Sequence, residues 1–378
     1  MAKKALLTID GTYHKIKKGF LTIDGIYRKV KKAYITIGGV YRPCWSGGGK
    51  VEYYGTISAL DFSGAVAASV STSDYAYFLS SSGEDTSFYD DSLTTTSAQP
   101  PELSGMAGTS LDIYVRDGKD GYYREGAVFG GGRDYDGEAS DEVYSFYGWQ
   151  RVSGHYLSIP RYDLAAASVG DYALFGGGMK WASSGMSDVV DAFNSSLTLT
   201  TITPLGVARS YLSAASVGKD YALFVGGGPA SSTDAYDKSL TRIDVADAGL
   251  FAKSAATGTD DYAIFSRFGR TVAYNKSLTL IEADALSDET QMPSAATSVG
   301  GFALFGGGFT DNDEYIAEVD IYTDSLTRTA GTPLSKARDK LGAATVGNYA
   351  LFGGGIGYYR HTEVDGLDTV DAYVYMEE

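Results

Sequence analysis

Cysteine is almost missing from this chain: Cys44 is the one cysteine in 378 residues. No internal disulfide can support the fold, and the redox compartment stays undetermined. Histidine is nearly as scarce, with only His14, His155 and His361. No apolar run approaches the length of a membrane span. The run ALLTI that follows Lys3 and Lys4 is shorter than the roughly 7 to 15 residues of a secretory core. A protein with neither membrane insertion nor a standard export signal is therefore expected. Helical periodicity is absent as well, which leaves strands as the regular element.

What is present is a repeat. YALFGGG at 172–178 returns at 349–355, as FALFGGG at 302–308 and as YALFVGGG at 221–228, with weaker copies at Tyr75, Gly126 and Tyr262. Seven copies at a spacing of 40 to 51 residues indicate a repeat architecture. Each unit reads as four short strands: a small-residue run such as AAASVG (165–170), the YALFGGG run, VVDAF (189–193) and SLTL (196–199). The second run is short, apolar and stopped by glycines, as a strand buried on both faces requires. The glycines provide positive φ or room for a neighbouring backbone. Ser-Leu-Thr recurs at Ser92, Ser196, Ser239, Ser277 and Ser325. A unit of this length cannot bury its face alone, and radial stacking into a propeller blunts the sheet edges that an open array would leave.

A hydrophobic strand, a glycine doublet or triplet and a downstream tyrosine (Tyr236, Tyr274, Tyr322 and Tyr373, with Phe193 once) resemble the kelch repeat over residues 51–378. The resemblance implies a seven-bladed β-propeller with these aromatics between blades. It departs from the kelch pattern where Leu of Ser-Leu-Thr stands in place of a late tryptophan. VDAYVYMEE (370–378) matches a third strand with no fourth after it, and KVEYYGTIS (50–58) is the expected replacement.

Residues 3–44 hold a different repeat, KKALLTIDGTYHKI, KKGFLTIDGIYRKV and KKAYITIGGVYRPC. Apolar strands around Asp-Gly or Gly-Gly read as three hairpins with two-residue turns, too small to be stable alone. The expected architecture is all-β: a basic triple-hairpin module at 1–44, a Gly-rich joint at 45–50 and the propeller at 51–378. Charge divides the same way. Residues 1–44 carry +8 and the remainder −24 of a net −16. An acidic body repels nucleic acid and anionic membranes. Tyr13, Tyr27, Tyr41, Lys17, Lys18, Lys31 and Lys32 are the expected anchoring residues of the basic module, beside a simpler reading of the lysines as solvated edge protection.

Copper oxidases of the galactose-oxidase kind share the propeller, but their site needs His and Tyr ligands and a Cys–Tyr crosslink. With three histidines and Cys44 outside the repeats, that chemistry is excluded. The SxDxGxTW boxes of sialidases are absent. Arg161, Arg209 and Arg338 recur at equivalent places three residues before a leucine, which favours structural pairing over catalysis. Asp134 and Asp136, or Asp311 and Asp313, offer oxygen ligands for Ca²⁺, but without a complete EF-hand spacing solvated turn charge is the better reading. No other cofactor is expected.

The loops that vary most, between second and third strands and between blades, share one face. They bring Trp149, Tyr156, Trp181, Tyr358, Tyr359 and Arg360 forward as a candidate ligand surface. The tandem KKxYIxIGGVxRP copies, the glycine-rich joint and the AAxxVGxYALFGGG repeats are together similar to virion proteins of phages of gut Firmicutes. That resemblance implies a non-enzymatic tail or appendage protein located in the virion and oligomeric on the particle. Residues 1–44 would bind other virion proteins, and the propeller a host surface glycan or protein. The alternatives are a decoration or assembly protein without receptor role and a bacterial carbohydrate-binding surface propeller.

Overall fold

The computed structural model describes residues 49–377 except 83–84, 99–102, 118–119, 149, 181–184, 252–253, 289–290 and 360–362. The backbone alone is described at 116–117, 120–121, 152–153, 358–359 and 363–365, and at the strands within 6–46. The chain divides into two units, Val51–Val374 and a second made of Met1–Lys50 with Tyr375–Glu378. In the second, the backbone pairs Leu6–Ile9 with Thr12–Lys15, Phe20–Ile23 with Ile26–Lys29, and Lys32–Ile37 with Val40–Ser46. Tyr13, Tyr27, Tyr41 and Lys32 fall on these strands; Lys17, Lys18 and Lys31 lie outside the described residues.

The larger unit is a seven-bladed β-propeller, and the described residues contain no helix. Blades 1 to 6 are four-stranded antiparallel sheets whose strands follow chain order from the axis outward. In blade 3 these are Ala165–Val169, Tyr172–Gly176, Val190–Asn194 and Leu199–Ile202. Blade 7 joins Gly342–Val346, Tyr349–Gly353 and Val370–Glu377 to Gly49–Ile57 as its outer strand. The ring thus closes with a strand from before blade 1, as expected. Leu60 N–H donates to Asp368 O at 2.8 Å, and Gly355 N–H to Gly64 O at 2.7 Å, tying blade 7 to the segment that enters blade 1.

The innermost strands are sheet edges, and their free peptide groups need partners. Small hydroxyl residues supply many of them across the blade interfaces. Ser216 Oγ donates to Ser168 O and Ser298 Oγ to Gly258 O, both at 2.6 Å, and Thr345 Oγ1 to Ser298 O at 2.8 Å. Blade 7 meets blade 1 in the same way, with Ser69 Oγ donating to Ala343 O and Thr345 N–H to Ser71 Oγ. The runs AAASV, SAASV and AATSV are therefore small for closeness and hydroxylated for edge satisfaction.

The second strands are the core, with Ala173, Leu174 and Phe175 and their counterparts fully buried. The first glycine of the triplet lets the next blade in. A Cβ on Gly176 would lie 2.7 Å from the Phe224 ring, and one on Gly353 3.2 Å from the Phe78 ring, so the contact recurs where the ring closes. The second glycine, Gly177, has φ +69 and meets Arg209 O, where a Cβ would clash at 2.7 Å. Phe175–Phe193, Phe224–Tyr236 and Phe352–Tyr373 pack edge to face at 5.7 to 5.9 Å.

The expected tyrosines act as latches. Tyr236, Tyr322 and Tyr373 donate their hydroxyls to Thr203 O, Asp284 O and Thr332 O in the segments that lead into their blades. Tyr89, which the sequence pattern missed, does the same to Ser58 O at 2.7 Å.

The Ser-Leu-Thr phrase requires a correction. It is not the fourth strand but the turn before it: Leu93, Leu197, Leu240, Leu278 and Leu326 all have φ between 55 and 62. A left-handed leucine costs about 1–2 kcal/mol. The turn offsets this with a side-chain cap, in which Asp90, Asn194, Asp237 or Asn275 accepts two backbone N–H groups at 2.9 to 3.0 Å. Leu197 and Leu326 are also buried against neighbouring blades.

Arg161, Arg209 and Arg338 are wholly buried and play the structural role expected of them. Each enters the blade that follows it and meets the aspartate of the third strand: Asp191 at 2.5 Å, Asp234 at 2.7 Å and Asp371 at 2.8 Å. Arg161 also donates to Phe175 O, Gly177 O and Val189 O, holding the second strand to the entry of the third. Burial pushes the Arg161 and Arg338 pKa values down, against the aspartates that raise them. In blade 6, Gln291 takes the arginine's place, and Asp320 pairs with Arg328 instead.

Removing one partner of such a pair strands a buried charge, which typically costs about 3–5 kcal/mol. Asp191→Ala should destabilise the propeller by that order in chemical denaturation; a loss near zero would refute the clamp.

The closing strand adds a pH dependence. Tyr53 donates to Asp371 at 2.7 Å, and burial first, then this bond, pushes its pKa from 10.0 to about 12. A raised tyrosine pKa stabilises the fold fully below pH 10, and that contribution disappears as the pH climbs from 10 to about 12. Denaturation midpoints should fall across this window, and Tyr53→Phe should flatten the fall; an unchanged slope would remove Tyr53 from it.

Candidate functional site

In this topology the loops between second and third strands and the segments between blades lie at one end of the blades, here the upper face. The turns joining first to second and third to fourth strands lie at the other, the lower face.

Tyr156 ends the outer strand Gln150–Tyr156 at the upper face and is exposed. Tyr358 and Tyr359 lie on Ile356–Tyr359, which pairs with Glu363–Gly366 as an extra hairpin where the sequence suggested a loop; their side chains are not described. Trp149, Trp181 and Arg360 lie outside the described residues. Gln150–Tyr156 is a strand and not a loop, paired with Glu142–Tyr147 through a bulge.

The acidic loops are occupied with their own turns. Asp134 accepts from Glu138 N–H at 2.8 Å, and Asp313 sits at φ 60, its N–H donating to Thr310 O. Among the described residues no group of three His, Cys, Asp or Glu comes together to hold a metal.

A groove of about 460 Å³ opens at the lower face between blades 1 and 2, within the usual size range of small-ligand sites. Blade 1 contributes Ser73, Asp74 and Tyr75 from its first turn and Asp90 and Asp91 from its third. Blade 2 contributes Arg124 and Glu125 from its second strand, then Tyr147, Gly148 and Gln150. The walls are tied together where Glu125 accepts from Ser73 N–H at 2.8 Å and Arg124 approaches Asp74 at 3.7 Å. The Arg124 guanidinium lies 5.3 Å from the centre of the Tyr122 ring and 5.8 Å from that of Tyr147, whose hydroxyls are 2.9 Å apart. Tyr75 packs edge-on to Phe88 and lies beside Gly148, where a Cβ would just touch it at 3.6 Å.

Blade 2 is built to extend this face. Its first two strands, Ala107–Asp117 and Asp120–Gly130, run 11 residues each where blade 3 uses five. At ~3.3 Å per residue the hairpin projects roughly 20 Å further. Exposed Tyr114 and Tyr123 pack edge to face on it at 5.2 Å, and Tyr114 N–H donates to Ser195 O of blade 3. The signal in the sequence was the run LDIYVRDGKDGYYRE between two apolar strands, a hairpin longer than the repeat allows.

Asp90 is engaged with its own turn. Burial works against its charge, but the Ser92 hydroxyl and the Thr94 and Ser92 amides outweigh it and hold the carboxyl below its ordinary value. It caps the same turn as Asp237, a duty repeated from blade to blade.

No family model matches this chain, and no curated protein matches it. Among solved structures, that of a streptogramin B lyase superposes with a TM-score of 0.54 over 87% of this chain and 98% of its own, at 10% identity. At that identity the likeness shows the propeller fold and nothing finer. No helix among the described residues is long and apolar enough to cross a membrane.

The Arg124 side chain stands apart from the core. An exposed cation–π contact or ion pair contributes at most about 1 kcal/mol. Arg124→Ala should therefore lower stability by no more than that order in urea denaturation; a loss as large as that of the buried arginines would make the groove part of the core.

Proposed function

We propose that this chain is a non-enzymatic virion protein of the phage tail or appendage kind. Its propeller recognises a host surface glycan or protein, and residues 1–44, as three basic hairpins, attach it to other virion proteins as an oligomer. The observation that carries this reading is the division of labour among charged and aromatic groups. The buried Arg161–Asp191, Arg209–Asp234 and Arg338–Asp371 pairs are interblade clamps, each engaged with its partner. Aromatic side chains stand open at both ends of the blades: Tyr135, Tyr156, Tyr211 and Phe251 above, Tyr114 and Tyr123 below. Exposed tyrosines of this sort are favoured binding anchors. The charge contrast between +8 in residues 1–44 and −24 in the remainder supports separate roles for the two parts.

Two measurements on phage particles and host cells test the proposal. A chain lacking residues 1–44 should remain folded and still bind host cells but disappear from purified particles. Added salt should weaken attachment of the full chain only in part, because screened surface charge contributes modestly. Normal occupancy of the shortened chain would overturn the anchor, and a full chain that binds no host surface would overturn the recognition role in favour of decoration or assembly.

A further inference from the structure

The groove between blades 1 and 2 has a composition that selects among ligands. Its walls are mainly polar, with acceptors on Asp74, Asp91 and Glu125 and donors on Arg124 and Gln150 beside the half-buried Tyr75 and Tyr147. Aromatic faces stack on the C–H face of a pyranose, while carboxylate and amide groups bridge vicinal hydroxyls. The charge balance is uneven. Four carboxylates, Asp74, Asp90, Asp91 and Glu125, face one guanidinium, which is already drawn to Asp74 and stacked between Tyr122 and Tyr147. An anionic ligand would meet a net negative wall with its single cation engaged, and like charges brought together without water are disfavoured.

We infer that this lower-face groove is a saccharide site specific for neutral pyranoses and closed to uronic or sialic acids. The inference deepens the recognition role proposed above and rests on it. The site lies on the face opposite the Tyr156 loops. Its two walls come from different blades but are held in register by the Glu125–Ser73 bond and by Tyr77, whose hydroxyl donates to Gly148 O at 3.3 Å. The groove is therefore formed before a ligand arrives, which limits the ordering cost of binding. The aromatic hairpin carrying Tyr114 and Tyr123 projects from the same blade and face, suited to a chain of sugars longer than the groove itself.

Saturation-transfer NMR on the full chain tests this with four probes: cellotriose, mannotriose, chitotriose and trigalacturonate. Transfer to at least one neutral trisaccharide and none to trigalacturonate is expected. Gln150→Ala combined with Asp91→Ala, both at exposed positions, should weaken the binding about tenfold or more while the melting temperature is unchanged. Tyr75→Leu should abolish stacking, with its folding checked in the same way. Transfer to trigalacturonate equal to that of the neutral sugars, no transfer to any probe, or full binding by the double variant would each overturn the inference. Host-cell binding by the double variant separates the two proposals: if cells are bound as before while the groove is disabled, recognition stands and the groove assignment fails.

Discussion

Edge satisfaction at the axis is the constraint on which the propeller depends. Seven innermost strands converge with one side unpaired, and peptide groups left without partners there would oppose closure. Serine and threonine donate across to carbonyls of the preceding blade's inner strand at 2.6 to 2.8 Å, which is possible only if the strands approach closely. Closeness in turn demands alanine and glycine beside those hydroxyls. The same approach brings Phe78, Phe175, Phe224 and Phe352 onto a glycine of the preceding blade, so the glycine triplets and the small-residue runs answer one geometric requirement.

The buried arginines follow from the same geometry. A segment linking two blades must cross from an outer strand to an inner one, and it must be fixed to the blade it enters. Arg161 carries out that fixation by donating to three carbonyls and to Asp191 at once. The planar guanidinium suits this task in a way that a lysine would not. Where blade 6 has Gln291, the aspartate is kept and finds Arg328 from the outer strand instead. In the four blades that carry a third-strand aspartate, it is partnered by an arginine each time, though not from the same place in the chain.

Departures from the repeat lie at the ends of the blades. Blade 2 has no Ser-Leu-Thr turn, lengthens its inner hairpin and supplies half of the groove. Blade 7 inserts a hairpin between its second and third strands. The scaffold tolerates both because they extend strands or loops beyond the ends of the blades and leave the axis and clamps untouched.

The sequence by itself determined the repeat, the seven blades, the strand that completes the ring and the structural character of Arg161, Arg209 and Arg338. Each of these is written in spacing, because every blade must meet the same neighbours at the same distance. It misread Ser-Leu-Thr as a strand, since a leucine with positive φ is legible only once its capping side chain and buried pocket are in place. Only the tertiary structure brought Asp74 and Tyr75 to Arg124 and Tyr147, because a groove between blades joins residues about 50 to 75 positions apart in the chain. Repetition fixes where blades lie, but what two neighbouring blades enclose depends on side chains that the repeat leaves free to vary.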